Sequence, residues 1–363
     1  MRRGFWLLCA VLVLCYLAAA EAWRLFPPEP AALEAAVAQA AAIAAARADR
    51  LARGIPINPE TDRNLTGLIG DEYTGLTSTL GNLGAKRSAA TPEAAALLVR
   101  LLREAGMTSG SRVAVNASGS FPGFALAAIA ACGALEAEAV IVLSLGSSTW
   151  GANRPDFTMA DIVLAAMGRN AAGTDSAGRG AFPPGYSANM AAVTPGGSDD
   201  RGLDLDRELL EAALTRVAAS GVPVMRPASL QESVSLRMAL FRSNGEPDLL
   251  LTIGGNYAST GANPELALLS GLIKASPSIN TGDTGLVQEF LRAGKPVVQV
   301  LNVESLFARY GMPFDPYPLR PVGTGRVYRD RRLPAVLLLA LAAAALVAYG
   351  IAGRKGGKSQ GRV

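Results

Sequence analysis

The sequence predicts an α/β fold: a parallel, Rossmann-like doubly wound sheet in an extracytoplasmic domain flanked by N- and C-terminal transmembrane helices. Three observations carry this. From Arg112 onward, short apolar runs alternate with helix-like runs, the pattern of a parallel sheet with helices on its faces. Residues 140–155, VIVLSLGSSTWGANRP, are echoed by residues 249–264, LLLTIGGNYASTGANP. Each reads as a buried strand whose end opens into a loop of small polar residues ahead of a helix, where open α/β sheets hold ligands. Apolar runs free of charge lie near both chain ends.

Residues 5–20 follow Arg2 and Arg3 and read as a signal peptide or an N-terminal signal anchor, with small residues at 18–20 or 20–22 available for cleavage. Residues 333–351 are long enough to span a bilayer. Arg2 and Arg3, with Arg354, Lys355, Lys358 and Arg362 beyond the second run, are expected to stay cytoplasmic. Residues 23–332 would then lie outside the cytoplasm, at a bacterial inner or cell membrane. Arg326, Arg329, Arg331 and Arg332 crowd the outer flank against the positive-inside rule, which a long translocated domain overrides. They read as a flank touching lipid headgroups or as a basic collar for a polyanion. The expected organisation is an anchor at 1–22, a helical stalk and wrapping segment at 23–88, the α/β domain at 89–325 and a basic juxtamembrane segment at 326–332. A membrane helix at 333–351 and a basic tail at 352–363 complete it.

The chain of 363 residues carries 34 basic and 30 acidic side chains, but six of the basic ones lie in the two tails. The segment between the tails is therefore slightly acidic, which argues against nucleic acid as a partner. Cys9 and Cys15 sit inside the first run, each preceded by leucine rather than the small residue that lipoprotein processing requires. Only Cys132 remains for the exported part, so a disulfide framework is excluded and Cys132 reads as a small core hydrophobe.

Along the chain, Pro27, Pro28 and Pro30 make a stiff exit into an alanine-rich helix over 31–52, read as a packing or stalk helix. Residues 55–86, rich in Gly, Thr and Asn, read as ordered loop and short helix. Thr91 is the expected N-cap of a helix over 94–105, with Pro92 at its first position. Strands follow at 112–117 and 139–145, with helices at 124–135 and 158–167. Residues 170–202 form a long Gly/Pro-rich excursion that includes a strand near 190–193. Helices at 203–220 and 229–241, a short strand at 222–225, strands at 249–253 and 296–301, and helices at 286–292 and 303–310 complete the pattern. Residues 313–321 lead toward the membrane.

The absence of histidine excludes Ser-His-Asp and Cys-His catalysis and any histidine-ligated metal. Oxygen-ligand sites for Mg or Ca are not excluded, though no EF-hand loop is present. Neither a Walker loop nor a strand-linked Gly-x-Gly-x-x-Gly occurs, and no cofactor is expected. Residues 116–123, NASGSFPG, follow a strand and open a helix, offering Ser118, Ser120 and backbone N–H groups as an anion cradle or as plain loop and cap. The echo loops supply Ser147, Ser148, Thr149 and Asn153 beside Trp150, and Asn256, Ser259, Thr260 and Asn263 beside Tyr257. Small polar groups beside one aromatic suit a polar ligand, or a loop folded on its own hydrogen bonds. Arg179 and Arg201, in Gly-rich loops with Asp199 and Asp200, are candidate carboxylate clamps or solvated surface. Asp156 and Asp161 follow the first echo, and helix capping explains Asp156 as well as catalysis would.

Five stretches, SGSFPG at 118–123, SLGSSTWGANRPDFT at 144–158, GGSDDRG at 196–202, TIGGNYASTG at 252–261 and LNVESLFARYGMPFDPYP at 301–318, resemble the poly-γ-glutamate system protein family. The resemblance extends to a membrane segment near each end. It implies a membrane-associated accessory of poly-γ-glutamate synthesis or export, working with a separate ligase and integral-membrane partners, and it implies no catalytic residue. The expected ligand is the polymer or a glutamyl precursor, held at the strand ends by Ser118, Ser120, Ser147, Ser148, Asn153, Asn256, Ser259 and Asn263, with Asp199, Arg179 and Arg201 nearby. Two rival readings are a γ-glutamyl hydrolase or transferase using Ser120 or a carboxylate such as Asp199, and an assembly scaffold whose loops are structural. Whether the protein is an enzyme is left open by these motifs, which lean toward recognition.

Overall fold

Buried aliphatic runs form six strands of one sheet in a computed structural model of the chain: β1 (Arg112–Ser118), β2 (Glu138–Ser144), β3 (Ala188–Thr194), β4 (Leu249–Ile253), β5 (Gly271–Ile273) and β6 (Val297–Val300). Their order across the sheet is β3, β2, β1, β4, β6, β5. All neighbours are parallel except β5, which runs antiparallel to β6. The direction of winding reverses between β1 and β4, so the loops leaving these two strands part to opposite faces and leave a crevice between them. The structure describes residues 26–169, 180–261, 263–274 and 285–329, with scattered helical positions in the two terminal apolar runs. Pro30–Gly325 is one compact unit, and Met1–Glu29 with Arg326–Val363 is a second.

The helices are α1 (Pro30–Ala52), α2 (Leu83–Ala89), α3 (Glu93–Glu104), α4 (Pro122–Ala134), α5 (Met159–Ala166), α6 (Arg207–Ala219), α7 (Leu230–Arg242), α8 (Tyr257–Thr260), α9 (Pro264–Leu268), α10 (Leu286–Arg292) and α11 (Val303–Arg309). α4 is apolar all round and buried from Pro122 to Cys132, as a helix must be when it is enclosed on every side. It packs on β1 and β2, and α1 and α3 pack on it in turn. On the opposite face, Val234, Met238 and Phe241 of α7 and Leu286, Val287 and Phe290 of α10 close over Ala114, Val140, Val142 and Leu250. The period of two along each strand separates these cores.

By length and composition, α1 is the one helix among the described residues able to cross a membrane. In this structure its buried alanines, among them Ala32, Ala35, Ala42 and Ala46, lie in the domain, against α3, α4 and α5. Gln39, fully buried, donates to Gly123 O at 3.0 Å and accepts from Ala95 N–H at 2.7 Å. Arg50 donates to Gly67 O, Ile69 O and Pro56 O at 2.7–2.9 Å, fastening the segment that follows the helix. The packing role expected of 31–52 is thus the observed one, within the same unit as the sheet. The predicted membrane runs at 5–20 and 333–351 lie largely outside the described residues, as do 170–179 of the long excursion.

Several element boundaries differ from expectation. Thr91 does not cap α3; its hydroxyl donates to Ser88 O at 2.9 Å, and Pro92 precedes the helix without a side-chain cap. Thr158, not Asp156, is the N-cap of α5, and Asp161 in the first turn completes a capping box by accepting from Thr158 N–H and Oγ1. Residues 203–206 are not helical because Asp206 caps α6 through Leu209 N–H. Residues 222–225 make only a bridge from Val224 to Val193. Edge strand β5, and a parallel pairing of Thr77–Thr79 with Ser147–Ser148, were not anticipated.

At the C-terminal ends of the strands the α7 face turns polar. Arg237 of α7 is fully buried and all five of its N–H donors have acceptors, as a desolvated guanidinium requires. Nε reaches Asn116 Oδ1 at 2.9 Å, Nη1 reaches Asp200 Oδ2 at 2.6 Å and also Ser233 Oγ, and Nη2 reaches Ser144 Oγ and Thr194 Oγ1 at 3.1 and 3.0 Å. Asp200 in turn accepts from Ser144, Thr194 and Ser233. Asn116 extends the network to Ser259 Oγ at 2.8 Å and Asn256 Oδ1 at 3.2 Å. One buried ion pair therefore ties β1, β2 and β3 to the loops after β3 and β4. Removing one member of such a pair strands the other, so Arg237→Met is expected to cost about 3–5 kcal/mol in urea unfolding. A loss below about 1 kcal/mol would show that the pair does not organise the strand ends.

Candidate functional site

The loops that leave β1, β2, β3 and β4 border a cleft of about 940 Å³ at the strand C-terminal ends. β1 contributes Ser118 and continues into Ser120 and Phe121. β2 contributes Ser144 and leads to Gly146 and Ser148, β3 leads to Gly196, Gly197 and Ser198, and β4 leads to Gly255, Asn256 and Tyr257. Residues 78–86 and the start of α11 complete the wall. Glycine is needed where the loops touch: a Cβ on Gly146 would lie 2.5 Å from Gly197 N, and one on Gly254, at φ +84°, would lie 2.3 Å from Ser118 Oγ.

Both echo segments thus open on one cavity, through Gly146 and Ser148 from the first and Gly255, Asn256 and Tyr257 from the second. Asn153 and Asn263, which close the matching ends of the two segments, do not line it. Asn153 is fully buried and braces the wrapping segment, donating to Asp71 O at 2.7 Å and Thr77 Oγ1 at 2.9 Å and accepting from Asp71 N–H at 3.0 Å. Asn263 caps α9 through Glu265 N–H at 2.9 Å. Both are structural, the competing role that small polar loop residues always offer.

The remaining predicted residues divide in the same way. Ser118 is buried at the end of β1, and Ser120 Oγ accepts from Ser148 N–H at 3.0 Å; both border the cleft. Ser147 is buried outside the cleft lining, its hydroxyl donating to Ser148 O. Ser259 is fully buried and bonds Asn116, Asn256 and Thr252. Asn256 Oδ1 accepts from Ser259 N–H at 2.9 Å, which fixes the orientation of the amide, and its Nδ2 is buried with no partner. Asp199 and Arg201 are exposed and lie outside the lining; their neighbour Asp200 is the residue that matters, through Arg237. Arg179 lies outside the described residues. Trp150 does not border the cleft; the aromatic side chains there are Phe121, Tyr257 and Phe314.

Lys86, near the end of α2, escaped the sequence reading. It is the one cationic side chain in the cleft lining among the described residues, joined by two acids, Asp204 and Glu304. Its ammonium is buried, donates to Ser148 Oγ at 2.6 Å and Ser120 O at 2.7 Å, and stands 3.9 Å from the Phe121 ring centroid. Burial pushes this amine down to about 7, while the ring face, which favours the cation, works against the shift. No local pattern in LGAKRSAA marks this lysine, because its partners are 34 and 62 residues away.

Among the described residues, no group of three or more His, Cys, Asp or Glu side chains could hold a metal ion. Cys132 is buried and its thiol is pushed up to about 12 by desolvation, so it is an inert core residue. No protein-family model matches the chain, and comparison with curated proteins and with solved structures finds no match.

The buried lysine leaves a signature in stability. An unfolded lysine titrates near 10.4, so between about pH 7 and 10 the unfolded chain holds a proton that the folded chain lacks, and wild-type stability rises with pH. Lys86→Met removes this dependence. Its stability relative to wild type is expected to be highest at or below pH 7 and to fall as the pH approaches 10, read by urea unfolding across that range. Parallel pH profiles for the two proteins would contradict a depressed Lys86.

Proposed function

We propose that this protein is a membrane-anchored accessory of a poly-γ-glutamate synthesis or export system, and that the cleft at the switch point binds the polymer or a glutamyl precursor. The observation that carries the reading is the cleft itself, set where β1 and β4 part and lined by serine, threonine and asparagine side chains together with Lys86, Asp204 and Glu304. Pockets of about 300–1,000 Å³ with few, well-placed polar groups are typical of specific ligand sites, and the volume here is about 940 Å³.

The lining suits an amide-bearing chain. A γ-glutamyl polymer alternates carboxylates, which need donors, with amide N–H groups, which need acceptors. Ser118, Ser120 and the unpartnered Asn256 Nδ2 supply the first, and Asp204 and Glu304 at the wall supply the second. The exposed face of Tyr257 offers a surface for the methylenes. Mixed acids and a single lysine fit this ligand better than a phosphate chain, which would call for several cations.

The membrane setting rests on the terminal runs. Large apolar side chains are exposed at their described helical positions, among them Trp6, Leu14 and Leu17, and Val336, Leu339 and Leu346. An exported domain held by both ends is the arrangement supported by the basic residues beyond each run.

Isothermal titration of the full chain in detergent micelles with poly-γ-glutamate, at low salt, tests the binding reading. Gly255 has room for a side chain, with Leu301 methyls 3.6–3.7 Å from a built Cβ and no positive φ. Gly255→Trp is expected to fill the cleft and weaken binding at least tenfold with an unchanged melting temperature. No binding by the wild type, or equal binding by the variant, would defeat the proposal.

A further inference from the structure

We propose that Ser148 and Lys86 are the nucleophile and general base of an acyl-transfer site in the cleft, acting on an amide or ester carbonyl carbon. The substrate class, a γ-glutamyl amide, rests on the binding reading above; the reactivity of the serine does not.

The geometry separates Lys86 from the other two buried cations among the described residues. Arg237 pairs with Asp200, as a buried charge held for structure is expected to do. Arg50 donates to three backbone carbonyls, Gly67 O, Ile69 O and Pro56 O, and meets no side-chain hydroxyl. Lys86 meets instead a carbonyl oxygen, the Phe121 ring and the hydroxyl of Ser148 at 2.6 Å. Its sequence neighbour Arg87 is engaged by Asp315 at 2.5–2.7 Å, and the cleft acids Asp204 and Glu304 do not pair with it. Desolvation alone holds its amine near neutrality, the condition under which a lysine accepts a serine proton. Histidine-free serine and lysine pairs are an established chemical solution to this problem.

Ser148 is rigidly presented. Its N–H donates to Ser120 Oγ at 3.0 Å, and the flanking Ser147 and Thr149 N–H groups bond Leu76 O and Thr79 O at 3.1 and 2.9 Å. Two residues on, Trp150 sits at φ +66° with its N–H on Asp71 O at 2.9 Å, a left-handed conformation that a bulky residue adopts only when its surroundings enforce it. Gly81 closes over the pair, for a Cβ there would lie 2.8 Å from Ser148 Oγ and 3.0 Å from Lys86 Cε. Ser120, the serine singled out by sequence, presents only its carbonyl to the lysine, and its hydroxyl serves to hold Ser148.

The chemistry balances with water as the second substrate. Neutral Lys86 Nζ takes the Ser148 Oγ proton as Oγ bonds the carbonyl carbon. The tetrahedral adduct expels the amine, which leaves with the proton from Lys86, and the acyl group remains as a Ser148 ester. Water then gives a proton to Lys86 and bonds the ester carbon; Ser148 Oγ departs and recovers that proton. A second amine in place of water gives transfer instead of hydrolysis.

The test is labelling of the full chain in detergent micelles with a fluorophosphonate probe, followed by peptide mass spectrometry. A single adduct on Ser148 is expected, with a rate that rises through about pH 7 and falls at least 100-fold in both Lys86→Met and Lys86→Arg, the size expected for loss of a general base. Lys86→Arg keeps a cation in place and guards against a Met variant that fails to fold, each variant being checked by its melting transition. No adduct on Ser148, or unchanged labelling in a folded Lys86 variant, would overturn the proposal. In the wild type, labelling without poly-γ-glutamate binding would remove only the ligand reading, and binding without labelling only this one.

Discussion

The buried pair of Arg237 and Asp200 is the constraint on which the strand ends depend. A guanidinium in the interior is costly unless its N–H groups find acceptors, and for Arg237 the acceptors come from α7, from three adjacent strands and from the loop after β3. Asp200 holds a left-handed conformation, φ +60°, in order to reach it. The loop after β3 is thereby pinned against β2, where Gly146 and Gly196 approach too closely for any side chain. Through Asn116 the same network reaches Asn256 and Ser259, so that the loop after β4 is set by the same charge.

A rigid polar floor of this kind frees the neighbouring groups for other work. Asn256 spends its oxygen on Ser259 and Asn116 and leaves its nitrogen unpartnered. Lys86 enters the cleft from a short helix outside the sheet and meets a carbonyl, a hydroxyl and a ring face there instead of a carboxylate. The contrast between a saturated arginine at the strand ends and a lysine in the cleft lining that meets no carboxylate is the physical basis for separating scaffold from chemistry here.

How much of this was legible in the sequence follows from the range of the interactions involved. The apolar alternation from Arg112 located five of the six sheet strands, because burial on both faces leaves a continuous apolar run. β5, three residues at a glycine, gave no such run, and Val224 reaches the sheet through a single bridge only. The echo located two of the four strand-end loops that border the cleft, but small polar residues look alike whether they meet a ligand or their own backbone. Ser148 and Asn256 line the cavity while Asn153 braces the wrapping segment and Asn263 caps α9, and no local rule distinguishes them. Asp199 and Arg201 read from the sequence as candidate loop charges, yet the one the fold depends on is Asp200 between them, whose partner lies 37 residues further on. Lys86 was hidden for the same reason: its meaning comes from Phe121 and Ser148, brought to it by the fold.

The account therefore rests on one claim, that the cleft at the switch point is where a ligand is held, with the remainder of the polar loops serving structure. Hydrogen exchange of the full chain with and without poly-γ-glutamate, resolved by peptide, tests it most directly. The account predicts new protection in peptides covering 118–121, 146–148 and 255–257, with 153 and 263 unchanged. Protection confined to the terminal segments or to the peptides holding 153 and 263, with the cleft peptides unaltered, would contradict it.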